Sequence, residues 1–180
     1  MAVFSHRRGS VTRVDDMAPD TVSHEKFTVA SNAVTEGEVI RPAQLVADLG
    51  GENLSPDLAW SGAPENARSF AVTCFDPDAP TGSGFWHWIA YNIPVETTAL
   101  STGQPRSDTG YDQASNDYGT KGYDGPHPPE GEDHRYIWTV HALSIPHIDL
   151  PEDTPHVQIR FMIHTHEVAR AQVSGHFRNA

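Results

Sequence analysis

Residues 76–92 read DPDAPTGSGFWHWIAYN, from Asp76 to Asn92. The run before them, Ser69 to Phe75 (SFAVTCF), is rich in β-branched and aromatic residues and is predicted as a central strand. It delivers two aspartates and two prolines into a Gly-rich turn, after which three aromatics surround His87. Acidic, rigid and aromatic residues packed this closely suit the wall of a small pocket with a few fixed polar groups. Phe85 to Ile93 is then the returning strand, ended by Pro94.

Working outward, the spacing predicts further short strands at Glu25–Ala30, Glu38–Ile40 and Asp57–Trp60, and a strong one at Tyr136–Ile145. The stretch from Gly103 to Glu132 is dense in Gly, Pro, Asp, Ser and Tyr. So long a loop in a compact domain is uncommon and is usually functional or mobile. Arg160 to Val173 reads as the one amphipathic helix, with Gly175 as its terminator and His176-Phe177 returning as a short strand. Short strands, long irregular loops and a late helix predict a mainly β sandwich. Residues 1–21 carry no periodicity and are expected to be a disordered leader, with one domain over 22–180.

Composition narrows the function. A formal net charge of −12 argues against nucleic acid, because no basic face could offset that field over a phosphate backbone. It leaves room for one phosphate in a local pocket. The single cysteine, Cys74, excludes an intramolecular disulfide and reads as a small buried hydrophobe. The basic N-terminus has no apolar stretch behind it, and no apolar run is long enough for a membrane span, so a cytoplasmic protein is expected.

Two clusters carry chemistry. In the first, Asp76 and Asp78 offer one carboxylate to a pocket and another to loop amides, although an ordinary Asx turn explains the same residues. Pro77 and Pro80 stiffen the turn, and Ala79-Pro80 is a candidate cis bond. Strict alternation places His87 with Ile89 on one face and Trp86 with Trp88 on the other. A strand histidine is commonly structural, but aspartates nearby would favour an imidazolium that donates to an anionic oxygen. The second cluster is Gly125-Pro126-His127-Pro128-Pro129 followed by His134-Arg135-Tyr136, which also reads as a polyproline linker entering a strand.

Taken together, DPDAP, the histidine in FWHW, GPHPP and HRY resemble the phosphatidylethanolamine-binding protein family, closest to its bacterial Raf-kinase-inhibitor-like (YbhB/YbcL) branch. SPDLAWSG at Ser55–Gly62, Leu150–Asp153 and HEVARA at His166–Ala171 extend the resemblance from about Phe27 to Phe177. It implies an antiparallel Greek-key β-sandwich with a C-terminal helix and a small anion-binding pocket at one end. The implied ligand-binding residues are Asp76, Pro80, His87, Pro128, His134 and Tyr136, with Asp78 and Arg135 in support. Eukaryotic members carry two adjacent histidines where this chain has Trp86-His87.

The expectation is a non-catalytic binding protein for a small anionic or phosphorylated ligand, with no cofactor and no resident metal. The resemblance also leaves room for a homodimer and for a partner kinase or protease met by the long loop. The alternative is a phosphoester hydrolase using the same pocket, through a two-histidine, one-carboxylate metal site or a histidine base. No GxSxG elbow supplies a nucleophile, and the HExxH-like string at His166 fails at Arg170.

Overall fold

The computed structural model describes residues 27–180; the expected leader over 1–21 lies outside them. Nine strands and one helix follow in order: β1 (Thr28–Ala30), β2 (Glu38–Val39), β3 (Leu58–Ser61), β4 (Ser69–Asp76), β5 (Phe85–Pro94), β6 (Ala99–Leu100), β7 (Asp112–Gln113), β8 (Asp133–Leu143), α1 (His156–His166) and β9 (Glu167–Arg178). They form a three-stranded sheet, β1-β3-β6, and a six-stranded sheet, β2-β9-β8-β4-β5-β7. Within the larger sheet, β8-β4-β5-β7 has the spatial order of a Greek key, and each of those pairings is antiparallel. The short β2 pairs parallel to β9.

The large sheet is covered on both faces. On one side Val72, Cys74, Trp88, Trp138 and Val140 pack with Leu58 and Trp60 of the small sheet. On the other, Ala71, Ile89 and Leu143 meet Ile148 and the α1 residues Ile159 and Ile163. This double burial explains why β4 reads as a continuous apolar run: a strand covered on both faces has no solvent side to alternate with. Ile159 and Ile163, one turn apart, each contribute roughly 1.5–3 kcal/mol by leaving water.

The helix is displaced from its predicted position. It occupies His156–His166, after Pro155, and the second half of the predicted Arg160–Val173 helix is strand. HEVARA therefore straddles the boundary. The alternation of Ala169, Ala171, Val173 and Gly175, all buried, suits a strand, and β8 pairs with β9 along nearly its whole length. Gly175 is not a helix terminator. It lies opposite Tyr136, and a Cβ there would stand 2.9 Å from Ile40 Cγ1 and 3.0 Å from the Glu38 carbonyl oxygen, so glycine admits β2 to the sheet edge. The candidate cis bond at Ala79-Pro80 is also corrected: no peptide among the described residues is cis.

Candidate functional site

The site forms where the sandwich face of the large sheet runs past its apolar core. β4 ends there in Asp76, β5 begins with Phe85 and His87, and β8 enters with His134 and Tyr136. Register decides which side chains arrive. Cys74 pairs with Trp88 while Phe75 pairs with Trp86, so His87 is the extra residue of a β-bulge. The bulge breaks the expected alternation. His87 and Trp88 both face the sandwich side, whereas Trp86 and Ile89 face the helix side. Trp86 there stacks on Phe75 at 4.3 Å and lies beneath the Arg160 guanidinium at 3.9 Å.

The resulting cavity holds about 220 Å³, and its lining includes Asp76, Pro80, His87 and His134. Those are four of the six expected ligand residues. The other two stand behind the wall. Pro128 is buried with its carbonyl accepting from Asn179 Nδ2 at 2.8 Å, and its neighbours His127 and Pro129 line the cavity instead. Tyr136 is fully buried, its ring edge-on to His87 at 5.2 Å. Its hydroxyl finds no hydrogen bond, and burial pushes its pKa far up, the nearby His127 backbone only partly offsetting this. Phe85 of the FWHW stretch and Tyr118, which no motif flagged, complete an aromatic wall 5.0 and 5.6 Å from the His87 ring. Burial also raises the Tyr118 phenol to about 12, so it stays a neutral hydroxyl.

The long loop does contribute. Tyr118, His127 and Pro129 all come from it, and Asp124 anchors it. The Asp124 carboxylate accepts from Arg106, Thr120, Asn116 and Asn53. Burial opposes its ionisation, but these donors outweigh burial and hold its pKa down at about 2. The Asp124 backbone carbonyl accepts a hydrogen bond from His87 Nδ1 at 2.8 Å. A carbonyl can only accept, so Nδ1 carries the proton and Nε2 is the nitrogen left for a ligand. Burial lowers the His87 pKa despite the raising pull of the Asp124 carbonyl and the Asp76 charge. The ring is therefore neutral near pH 7, and its Nε2 accepts rather than donates.

His134 is the opposite case. Nδ1 bonds Asp76 Oδ2 at 2.7 Å and Nε2 bonds Glu132 Oε2 at 2.8 Å. Carboxylates only accept, so both nitrogens donate and the ring is an imidazolium. Burial works against that charge, but the hydrogen bonds from Glu132 and Asp76 prevail and the pKa is raised. Asp76 Oδ1 meanwhile accepts the backbone amides of Asp78 at 2.8 Å and Ala79 at 3.0 Å, so Asp76 both closes the turn and holds the imidazolium. Asp78 faces away and takes Arg135 in a two-pronged ion pair at 2.9 and 2.8 Å, with the guanidinium holding its carboxyl below the usual range. These two residues tie the turn to β8.

Larger surface grooves lie elsewhere. The one lined by Arg106 and Lys121 has its cations already paired with Asp124 and Glu152 at 2.6 Å each. Among the described residues, no group of three or more His, Cys, Asp or Glu side chains is arranged to hold a metal ion. No described helix is long and apolar enough to cross a membrane.

A two-sheet Greek key with a small histidine- and aspartate-lined pocket at one end defines a class of ligand-binding sandwich. The profile described as "Phosphatidylethanolamine-binding protein" matches residues 30–178, and the chain belongs to that family. Among its relatives, the UPF0098 protein YbhB of Escherichia coli K12 is 42% identical over 153 residues, covering 82% of this chain and 97% of its own length. The UPF0098 protein YbcL of the same strain is 39% identical over 156 residues, covering 82% and 85%. The crystal structure of E. coli YbcL superposes with a TM-score of 0.80 at 38% identity, over 84% of this chain and 98% of that one. A homologue from Chlamydia trachomatis superposes with a TM-score of 0.74 at 27% identity, over 86% and 98%.

Proposed function

We propose that the chain is a non-catalytic binding protein whose end pocket takes a small oxyanion, either a free phosphate or the phosphate of a lipid headgroup. The observation that carries this reading is the unlike pair of histidines. An imidazolium at His134 and a neutral His87 with Nε2 unengaged line one cavity of about 220 Å³. Such a pair complements a group with both an anionic oxygen and a proton to give, as in a hydrogen phosphate or a phosphomonoester monoanion. Tyr136, buried behind the wall, sets its ring edge-on to His87. Phe85, Tyr118 and Pro80 give the cavity a largely apolar rim. Ligand occupancy would be felt by the loop over 103–132, the surface through which a partner kinase or protease would sense it.

The reading is tested by isothermal titration of the protein with inorganic phosphate and phosphoethanolamine at about pH 6, where His87 is closer to its ordinary titration range. One-site binding by the native protein, lost in His87→Ala, supports it. No heat from either ligand, or equal binding by the variant, removes the pocket from consideration.

A further inference from the structure

Every N–H of the two buried imidazoles at the site, in the tautomers their partners fix, is already given to an acceptor of the protein itself, whereas His127 on the cavity lining is exposed. His87 Nδ1 donates to the Asp124 carbonyl, His134 Nδ1 to Asp76 and His134 Nε2 to Glu132. While His87 is neutral, an incoming oxyanion therefore finds a donor on either buried ring only by replacing one of these acceptors. They are not equally replaceable. The Asp124 carbonyl is backbone, in a loop fastened by four side-chain bonds to its carboxylate. Asp76 is buried, 4% exposed at its side chain, and accepts two backbone amides besides the imidazolium.

Glu132 differs on every count. Its side chain is 47% exposed, against 3% for the His134 it bonds. Its backbone is held independently: its amide donates to the Pro129 carbonyl at 3.0 Å, and its carbonyl accepts from the Asn179 amide at 3.1 Å. The carboxylate can swing outward to water while the loop stays in place. It sits two residues before His134 in the chain, and the His134 it bonds lines the cavity together with Pro129.

We infer that Glu132 is a built-in competitor: its carboxylate occupies the position on His134 Nε2 that a ligand oxyanion takes, and binding is an exchange of one for the other. This rests on the anion-binding reading given above. The exchange keeps His134 paired with an anion in both states, so the imidazolium is never left uncompensated in its buried place. It also sets a threshold. A ligand must offer an oxygen at least as good as a tethered carboxylate, which favours phosphate-type groups over simple carboxylates.

The test is titration of Glu132→Ala with inorganic phosphate and with phosphoethanolamine, beside the native protein and Glu130→Ala, after thermal melts confirm that each is folded. Glu130 is exposed on the same loop, so its removal reports the general effect of deleting a nearby negative charge. Exchange predicts that Glu132→Ala binds both ligands on the order of tenfold more tightly or better. Glu130→Ala should stay within about twofold of native. Unchanged affinity in Glu132→Ala, or equal tightening in both variants, overturns the exchange and leaves the anion-binding reading standing. Weaker phosphoethanolamine binding with phosphate unaffected overturns it too, by making Glu132 a partner for the ligand's ammonium group. Phosphate bound by neither native protein nor Glu132→Ala removes both readings together.

Discussion

His87 Nδ1 lies 2.8 Å from the backbone carbonyl oxygen of Asp124, and this one bond fixes which end of the ring a ligand meets. The proton stays on Nδ1, Nε2 is bare in the neutral ring, and burial keeps the ring neutral by lowering its pKa. An anion at Nε2 makes the protonated form favourable again, so the pKa rises on binding and a proton is taken up. Affinity then increases as pH falls through the bound-state pKa and levels off below the free-state one, with a slope of up to about tenfold per pH unit for one proton. Sulfate does not titrate between about pH 5 and pH 8, so it isolates the protein's own proton from that of phosphate. Titrations in buffers of different ionisation heat should show proton uptake approaching one. A flat affinity across that range would mean His87 does not meet the ligand.

Asp76 is expected to be the most costly pocket residue to remove. Asp76→Ala orphans two backbone amides and one prong of a buried imidazolium, a loss of roughly 3–5 kcal/mol. Asp76→Asn retains an acceptor for the amides and should cost less. The pH dependence separates charge from packing. His134 has a raised folded pKa, so its contribution is fully present below its unfolded value, about 6.5, and is lost as pH rises through the folded one. Urea unfolding of the native protein should show that decline, and Asp76→Asn should flatten it. An equal slope in both would assign the raised pKa to Glu132 alone.

The sheet was legible because β4 and β8 are long apolar or alternating runs between turn residues, and the site was legible where motif residues lie on those strands. Asp76, Pro80, His87 and His134 do line one cavity. What was not legible depends on pairing partners. The faces of His87 and Trp88 follow from one extra residue opposite Cys74-Phe75, and alternation cannot register a bulge without the neighbouring strand. Residues 160–173 carry a helical and a two-residue period at once, and the choice is made by β8, which needs a partner along its length. Glu132 lies between the GPHPP and HRY motifs and belongs to neither. Its role appears only when its carboxylate is seen on His134.

The turn between β4 and β5 offers a controlled pair of glycines. Both Gly82 and Gly84 have positive φ, at 80° and 73°, so alanine is strained at either. At Gly82 an added Cβ meets nothing within 4 Å, whereas at Gly84 it would lie 2.3 Å from Phe75 Cζ and 2.7 Å from the Asp76 carbonyl oxygen. Gly82→Ala should therefore cost only the backbone strain, about 1–2 kcal/mol. Gly84→Ala should cost at least about 1 kcal/mol more, through displacement of Phe75 from its stack on Trp86. Thermal melts rank the two, and phosphate titration should show Gly84→Ala alone weakened, because Phe85 beside it forms the pocket wall. Equal melts would place the constraint in the backbone rather than in the ring contact.

At the far end of β8 from the pocket a second buried charge is held by a different set of residues. The Glu167 side chain is 1% exposed; it accepts from His141 and pairs with Arg170 at 2.6 Å, while His141 Nε2 lies 3.0 Å from Thr73 Oγ1. Burial raises the Glu167 pKa, but His141 and Arg170 outweigh it and the net direction is downward. A depressed carboxylate stabilises the fold above its unfolded pKa, about 4.3, and loses that contribution as pH falls through the folded one. Glu167→Gln retains an acceptor for His141 but strips Arg170 of its counter-charge, which should cost roughly 2–4 kcal/mol near neutral pH. The deficit should shrink as the native protein is acidified. Because Glu167 pairs with Leu143 while the pocket gathers around His134 at the opposite end of β8, phosphate affinity should remain within about twofold of native. A large loss of affinity in a variant that still melts cooperatively would show the two ends of the strand to be coupled.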